Sequence, residues 1–170
     1  MRGYVLETPA GWAAWLWSSK GLYSLTLPLP TPAEAIAAVG GEGRIMDPWS
    51  GEGRKEEQAL AAALSRYFKG EKPGFAGIPL DWTGYSPFTR CVLRAVRHIP
   101  WGRTLTYGEV AARVGNRKAA RAVGNALGRN RTPLVVPCHR VTAADGKPGG
   151  WSGPPGWKER LLRLEQRVNP

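Results

Sequence analysis

The tetrapeptide Pro137-Cys138-His139-Arg140 contains the residues best suited to chemistry in this 170-residue chain. It follows the apolar run Leu134-Val135-Val136, which predicts a short buried strand that ends just before the cysteine. Thiolate is the reactive form of cysteine, and neighbouring cations favour it. Because His139 and Arg140 follow directly, the sequence predicts that Cys138 is an activated nucleophile.

Positive charge is concentrated in the second half of the chain. Residues 90–170 contain 16 Lys and Arg against 4 Asp and Glu, a net charge of +12, whereas residues 1–89 contain 8 against 9, a net charge of −1. Of the 16 cations, 13 are arginines, which suit bidentate contacts with phosphate. The pattern favours binding to nucleic acid, and a charge-rich surface of the thermophile type is the alternative.

The elements of the first half are expected to form a small sheet with two helices. Thr31, Pro32 and Glu34 have the types and spacing of a capped helix start. Alternating apolar residues and turn residues predict strands over 4–6, 12–17 and 22–27, a hairpin turn at 18–21, helices over 31–40 and 56–68, a glycine-rich loop over 41–54, and a last strand at 80–82.

The second half is predicted to be mainly helical. Ser86 and Pro87 begin a helix with apolar residues at helical spacing, and Cys91 is expected to pack beside that apolar face. A capping pattern at 106–109 begins the next predicted helix, which ends at Gly115.

After a short turn, a basic helix rich in small residues is predicted over 119–127, with Arg121 as its one long side chain. Two helices joined by so short a turn fit a helix-turn-helix. Small side chains would let the second helix approach DNA closely.

The last predicted helix spans 157–168 and presents Trp157, Leu161 and Leu164 on one face. Glu165, four positions after Leu161, lies at the border of that face. A carboxylate there either points inward, where it needs a partner, or lies in solvent at the helix edge.

Length and composition fit one large domain or two small ones. The first residues lack the pattern of a signal peptide, and no apolar run is long enough to span a membrane. Two cysteines allow one disulfide at most, and a Cys-His pair is more typical of a reduced thiol. We therefore expect a cytoplasmic protein without a membrane anchor.

Several segments resemble the O6-alkylguanine-DNA alkyltransferases, also called methylated-DNA–protein-cysteine methyltransferases. The Pro-Cys-His-Arg segment with an upstream Ala-Ala-Arg-Ala-Val-Gly helix is a highly specific combination. The resemblance covers residues 86–165, whereas the first 85 residues agree only in general layout. The matching segments, in family order and spacing, are 106–111, 118–124, Asn130, 135–141, 150–153 and 158–165.

The resemblance implies an α+β fold with two domains. These are a small N-terminal ribonuclease-H-like sheet domain over 1–80, and a C-terminal domain over 81–170 that binds DNA through a winged helix-turn-helix and carries out alkyl transfer. It also implies a monomer that needs no cofactor. Some members carry an N-terminal zinc site, but no cysteine or histidine precedes Cys91 here, so we expect no metal.

The implied reaction is stoichiometric and irreversible DNA repair. A guanine alkylated at O6 is flipped out of the duplex, and Cys138 attacks the alkyl carbon and keeps the group as a thioether. O4 of thymine is a further candidate position. The resemblance assigns His139, acting through a water molecule, and Glu165 to a relay that activates the thiol. It also implies that Asn130 orders the turn at the site and that Tyr107 serves the guanine and a nearby phosphate.

Family members place the second helix of the motif in the minor groove of double-stranded DNA, which agrees with its small residues here. Arg121 would fill the space that the flipped base leaves. The implied DNA contacts are Tyr107, Gly108, Asn116, Ala119, Ala120, Arg121 and Gly124. The implied substrate pocket consists of Pro133, Val141, Trp151, Ser152, Gly153 and Lys158.

The chain departs from the family pattern in its pocket loop. Trp151 stands where the family usually has a tyrosine, which keeps a stacking face but changes its size. Pro154-Pro155 replaces a more flexible glycine-containing stretch and predicts a stiffer loop. Both differences bear on which alkyl groups fit.

Other classes of protein stay open as alternatives. An alkyltransferase-like protein recognises alkylated guanine without repairing it, but it lacks the cysteine that is present here. A cysteine hydrolase would need an oxyanion hole and does not explain the basic half. A helix-turn-helix regulator leaves Asn130 and Glu165 unexplained. A zinc site would need Cys91, His98, Cys138 and His139, and adjacent residues fit two corners of one tetrahedron poorly.

Overall fold

A computed structural model describes residues 1–40, 45–47, 49–50, 53–147 and 149–166. These residues form a mixed α+β structure, as predicted, and the chain divides into two compact units, Met1–Trp82 and Thr83–Pro170. The assignment of the ribonuclease-H-like and DNA-binding domains to 1–80 and 81–170 stays a prediction. Among the described residues, no helix is long and apolar enough to cross a membrane.

The first unit is built on a four-stranded sheet with the order β3-β2-β1-β4. Its strands are β1 (Arg2–Thr8), β2 (Gly11–Ser18), β3 (Gly21–Leu25) and β4 (Ile45–Met46). The first three are antiparallel neighbours, whereas β4 pairs in parallel with β1. The three predicted strands and their hairpin turn are confirmed, although β3 ends at Leu25 rather than at residue 27.

Two helices, α1 (Pro32–Ala38) and α2 (Lys55–Phe68), contact this sheet. The predicted cap of α1 is present, because the Thr31 hydroxyl accepts a hydrogen bond from the Glu34 amide while the Glu34 carboxylate accepts one from the Thr31 amide. Two orphan amides at the helix start are thereby satisfied from within four residues.

A buried carboxylate joins α2 to β1. Tyr4, which stacks on Trp15, donates a hydrogen bond of 2.6 Å to Glu57 Oε2, and Arg2 Nη2 lies 3.0 Å from Oε1. Burial, with the hydrogen bond to Glu57, raises the pKa of Tyr4 to about 12. The phenol therefore stays a donor at any physiological pH.

Two expectations for the first unit were wrong. The predicted loop over 41–54 contains β4, while residues 41–44, 48 and 51–52 of it lie outside the described residues. The predicted strand at 80–82 is a single bridge between Leu80 and Leu22. Two backbone hydrogen bonds flank the bridge, from the Leu22 amide to the Pro79 carbonyl at 2.8 Å and from the Asp81 amide to the Leu22 carbonyl at 2.9 Å. Gly21 has φ +137°, and a Cβ on it would lie 2.5 Å from the Pro79 carbonyl oxygen, so this close approach requires glycine.

The second unit begins with α3 (Pro87–Arg97), whose N-cap is Ser86, as predicted. Its buried side chains are Thr89, Val92, Leu93 and Val96. The expectation that Cys91 packs in the core is wrong, because Cys91 is exposed. At 100° per residue, Cys91 lies about 200° round the helix from Thr89 and so faces away from the buried stripe.

The helix-turn-helix pattern is present in the described structure. Helices α4 (Tyr107–Arg113) and α5 (Ala120–Leu127) contact each other, and both contact α3. Thr106 and Glu109 form the predicted capping box, and Gly115 after α4 has φ +84°. This left-handed conformation after a helix end is the one that glycine adopts without strain.

Three further elements complete the second unit. Strands β5 (Leu105–Thr106) and β6 (Val141–Thr142) pair in parallel, and α6 (Trp157–Gln166) is the last helix. The predicted continuation of α6 to residue 168 lies outside the described residues.

The buried strand expected before Cys138 is wrong. Residues 134–136 are buried, but they form a tight turn in which the Val136 amide donates to the Thr132 carbonyl at 2.9 Å. Leu134 has φ +71°, a left-handed conformation that no extended strand contains.

Candidate active site

Cys138 is the first residue of a single 3-10 turn, Cys138–Arg140, and its side chain lies at the wall of an open cavity. The cavity has a volume of about 750 Å³, within the usual range for ligand sites. Residue Cys138 is only 5% exposed, so its sulfur is reached through the cavity. The lining residues are Tyr107, Ala120, Arg121, Gly124, Asn125, Leu127, Gly128, Arg129, Cys138, Gly150, Trp151 and Ser152.

The turn before Cys138 is held by Asn130. Its Nδ2 donates to the Val136 carbonyl at 2.9 Å, and its Oδ1 accepts from the Thr132 amide at 3.1 Å. These two bonds clamp the turn around Leu134, whose left-handed conformation costs on the order of 1–3 kcal/mol. Asn130 thus fixes where the chain enters the Cys138 turn.

Behind Cys138 lies a buried cluster of three ionisable side chains, His139, Arg140 and Glu165. His139 Nε2 is 2.6 Å from Glu165 Oε1, and both residues are 1% exposed. Arg140 binds the same carboxylate twice, through Nε at 2.8 Å and Nη2 at 3.0 Å, and donates from Nη1 to the Ile99 carbonyl at 2.7 Å. The Gly102 amide is a further donor to Glu165 at 3.3 Å.

The electrostatics of this cluster set the protonation state of His139. Burial lowers the pKa of His139 below 6.5, and the opposing hydrogen bond and charge of Glu165 are weaker. Burial would raise the pKa of Glu165, but its hydrogen bonds and charges with His139 and Arg140 outweigh that and lower it to about 2. At pH 7 His139 is neutral, and its hydrogen bond and the Arg140 guanidinium together keep Glu165 ionised. An ionised acceptor on Nε2 holds the proton there and leaves Nδ1 as the basic nitrogen.

Tyr107 and Lys158 lie on another side of the site. The Tyr107 hydroxyl donates to the Gly150 carbonyl at 2.6 Å, and burial, with a smaller effect from the charge of Cys138, raises its pKa. Lys158 Nζ lies 5.6 Å from the centre of the Tyr107 ring and donates to the Val141 carbonyl at 2.5 Å. Burial lowers the pKa of Lys158. Both groups are therefore fixed by contacts with backbone carbonyls.

Trp151 contacts the reactive sulfur directly. Its indole Nε1 donates a hydrogen bond to Cys138 Sγ at 3.5 Å. The ring lies against Gly153, where a Cβ would be only 2.5 Å from Cη2 and 2.6 Å from Cζ2. The loop therefore places an indole N–H, rather than only an apolar wall, beside the Cys138 sulfur.

Comparisons with known proteins agree on one family. The family model described as 6-O-methylguanine DNA methyltransferase, DNA binding domain, matches residues 87–167. A methylated-DNA–protein-cysteine methyltransferase of Methanopyrus kandleri is 43% identical over 67% of this chain and 84% of its own length. One of Mycolicibacterium paratuberculosis is 50% identical over 63% of this chain and 64% of its own length.

The chain belongs to the methylated-DNA–protein-cysteine methyltransferase family. The solved structure of Mycobacterium tuberculosis OGT in complex with DNA has a TM-score of 0.77 and 30% identity, and the match covers 98% of this chain and 94% of that one. A Thermus thermophilus relative that is 44% identical, over 66% of this chain and 78% of its own length, is named a DNA base-flipping protein. The α+β fold and the family prediction are confirmed.

The structure brings some of the predicted pocket residues together and leaves others aside. Trp151 and Ser152 line the cavity with Cys138. The other four predicted pocket residues, which are Pro133, Val141, Gly153 and Lys158, are not among the lining residues. Gly153 supports the indole, and Lys158 is bound to the Val141 carbonyl behind the wall. Pro133 belongs to the turn that Asn130 clamps.

The predicted DNA contacts spread along the helix-turn-helix. Gly108, Asn116 and Arg121 are exposed, while Ala119 is 9% exposed and packs inward. Of the predicted contacts in α5, Ala120, Arg121 and Gly124 line the cavity. One face of α5 therefore borders both the solvent and the cavity that contains Cys138.

Sequence reasoning missed three side chains that line the cavity and assigned a different contact to a fourth. Asn125, Leu127 and Arg129 line the cavity, and the helical spacing from Arg121 could have indicated Asn125. Arg140, predicted as a cation beside Cys138, directs its guanidinium to Glu165 instead. Among the residues the structure describes, no group of three or more His, Cys, Asp or Glu is placed to hold a metal ion.

Proposed function

We propose that this chain repairs DNA by moving an alkyl group, methyl in the simplest case, from O6 of guanine to Cys138. The observation that carries the proposal is the position of Cys138 Sγ at the wall of a cavity bordered by α5, with the His139–Glu165 pair behind it. The names of the relatives support direct alkyl transfer. The presence of the cysteine disfavours a damage-recognition protein that binds without transfer.

The reaction balances as a single displacement. The Cys138 thiol loses its proton, the Sγ–carbon bond forms, and the carbon–O6 bond breaks with its electron pair left on the guanine. The guanine takes up one proton in exchange for the one that the thiol lost. The product is a thioether and an unmodified guanine, so each protein molecule reacts once.

His139 is the base in this proposal. Because Nε2 faces the Glu165 carboxylate, Nδ1 is the nitrogen that takes the thiol proton, directly or through a water molecule. A buried neutral imidazole suits this role better than an imidazolium, which has no free lone pair. Tyr107 stays protonated and can donate to the guanine, and Asn130 holds the turn.

DNA is the partner, and we propose that α5 lies in its minor groove. The exposed side of α5 consists largely of small residues, which permit close approach of the backbone, and Arg121 is long enough to enter the base stack. Gly108 and Asn116 would contact the phosphates. Contacts of this kind carry little sequence information and weaken as salt rises. We propose a monomer acting in the prokaryotic cytoplasm, with Thr83–Pro170 as the DNA-binding and alkyl-transfer domain.

The test is mass spectrometry after mixing the protein with a duplex that contains one O6-methylguanine. We expect the tryptic peptide 132–140, which contains Cys138, to gain one methyl group as the lesion disappears. Cys138→Ser should bind the same duplex without any gain in mass. Methyl transfer by Cys138→Ser would refute the nucleophile, and tight binding by the wild type without transfer would favour a damage-recognition protein.

A further inference from the structure

The hydrogen bond from Trp151 to Cys138 has chemical consequences beyond packing. The Nε1–Sγ distance of 3.5 Å is that of an N–H donor to sulfur, and both side chains line the same cavity. An indole has one donor and no acceptor, so a deprotonated sulfur is a better partner for it than a thiol or a thioether.

Gly153 fixes where the indole lies. A Cβ at this residue would lie 2.5–2.8 Å from three atoms of the Trp151 ring, one of them Cε2, which is bonded to Nε1. Gly153 is not among the glycines with positive φ, so alanine would fit its backbone conformation. The glycine is required for the space that the ring fills, and a methyl group there would displace the N–H from the sulfur.

We propose that Trp151 is a catalytic residue that donates its indole N–H to the Cys138 thiolate, and that Gly153 is the positioning residue that keeps the indole there. The inference rests on the proposed function, because it concerns the nucleophile of that reaction. The bond stabilises the thiolate before transfer and weakens once the sulfur has become a thioether. It therefore favours the reactive form without stabilising the product.

The expected signature follows from two opposed effects on rate. A hydrogen bond to a charged group is strong enough to change the thiolate fraction at neutral pH about ten-fold. The same bond lowers the intrinsic nucleophilicity of the thiolate, by about three-fold for such a change. Removing the bond should slow the reaction about three-fold where thiol predominates, and speed it about three-fold where thiolate predominates. The two pH–rate curves should cross.

Other charged and titratable groups near Cys138 are the same in wild type and variants. They are the buried cluster of His139, Arg140 and Glu165 behind it, Tyr107 on α4, Arg121 and Arg129 at the cavity, and Lys158 on α6. These groups affect the pH–rate curves of the wild type and of the variants equally. A crossing between two curves is therefore due to the indole N–H. A change in cavity width would instead alter the rate by one factor at every pH.

The experiment measures alkylation by iodoacetamide between pH 5 and about pH 10.5, a range that extends past the ordinary pKa of a thiol, for the wild type, Trp151→Phe, Gly153→Ala and the double variant. Peptides 132–140 and 91–94 separate Cys138 from Cys91, which is exposed on α3 and serves as the internal control. We expect the Cys138 curves of both single variants to cross the wild-type curve, and the Cys91 curves to coincide. In the Trp151→Phe background, Gly153→Ala should change little, because the N–H is already absent.

A Trp151→Phe curve that is parallel to the wild-type curve, or identical to it, would overturn the inference. If Trp151→Phe fails to fold, Gly153→Ala retains the indole and decides alone by the same criterion. Methyl transfer from an O6-methylguanine duplex to the wild type is measured separately. Crossing curves without methyl transfer would refute the repair function but support the contact between the indole and the thiolate. Methyl transfer with parallel curves would support the repair function and refute that contact.

Discussion

Replacing Glu165 by glutamine should unbalance the charge cluster behind the nucleophile. The carboxylate accepts from His139, twice from Arg140 and from the Gly102 amide, and it is 1% exposed. Glutamine has nearly the same shape but only one oxygen. Both carboxylate oxygens accept from Arg140, so the NH2 group of glutamine would face a guanidinium N–H in either orientation, and a donor would meet a donor.

The expected loss of stability follows from the charge that stays buried in the variant. In Glu165→Gln the Arg140 guanidinium keeps its bond to the Ile99 carbonyl but loses its counter-charge in the interior. Breaking a buried ion pair by removing one partner costs about 3–5 kcal/mol, against about 0–1 kcal/mol for a surface pair. We expect the free energy of unfolding to fall by about 3–5 kcal/mol at pH 7. Transfer should slow roughly 10²-fold, because His139 loses the ionised group that fixes its proton on Nε2.

The pH dependence shows whether charge is the cause. The pKa of Glu165 is lowered in the folded protein, so its contribution is present above about pH 4.5 and is lost as pH falls towards 2. The difference in the free energy of unfolding between the wild type and Glu165→Gln should therefore shrink by about 1 kcal/mol per pH unit below 4.5. Because the pKa of His139 is also lowered, the wild type should begin to lose stability below pH 6.5, where the unfolded histidine gains a proton.

Urea titrations followed by circular dichroism from pH 7 to pH 3.5 measure the difference, and Arg140→Met with Glu165→Gln is the control. Removing both charges should restore a large part of the lost stability without restoring transfer. A loss below about 1 kcal/mol at pH 7, or a loss that does not depend on pH, would refute this account of the cluster.

Two further predictions concern DNA and the turn. Arg121→Ala should slow repair of duplex DNA far more than reaction with the free O6-methylguanine base, because only the duplex has a base stack to fill. Single-turnover rates with both substrates measure the two losses. Equal losses would show that Arg121 does not assist base flipping. Asn130→Ala removes the bonds to Val136 and Thr132, so we expect a loss of about 2 kcal/mol in urea titrations and slower iodoacetamide reaction at Cys138 but not at Cys91. Unchanged stability would show that the turn holds without its clamp.

Features that depend on a few neighbouring residues could be predicted from the sequence. The caps at Thr31, Ser86 and Thr106 each satisfy helix amides within four residues, so the local pattern was sufficient. Cys138 and His139 are adjacent in the sequence, so a local pattern was also sufficient to select them as candidate site residues. The partnership with Glu165, 26 residues from His139, came from the resemblance, because periodicity alone left an edge glutamate open to both interpretations.

Features set by packing could not be predicted in this way. An apolar run such as 134–136 is equally compatible with a buried strand and with a buried turn. The hydrogen bonds of Asn130 hold it as a turn, with Leu134 in a left-handed conformation, and these contacts are not visible in the local pattern. Cys91 lies three residues after Phe88 at helical spacing, but Phe88 is itself 38% exposed, so Cys91 falls beyond the edge of the buried stripe. The periodicity identified the helix and the buried residues Val92, Val96 and Ile99 correctly, and only the extent of the apolar face was wrong.

The buried cluster is better explained by chemistry than by stability. Apolar residues of similar volume are usually no less stabilising than a buried ion pair, so packing alone does not call for three ionisable side chains in the interior. Burial would raise the pKa of Glu165, and the hydrogen bonds and charges of His139 and Arg140 together lower it to about 2. A neutral carboxyl could donate to His139 as well as accept from it, so the proton on the imidazole would no longer be confined to Nε2. Arg140 therefore acts on the proposed nucleophile indirectly, because it helps to keep Glu165 ionised and so helps His139 to present a basic nitrogen to Cys138.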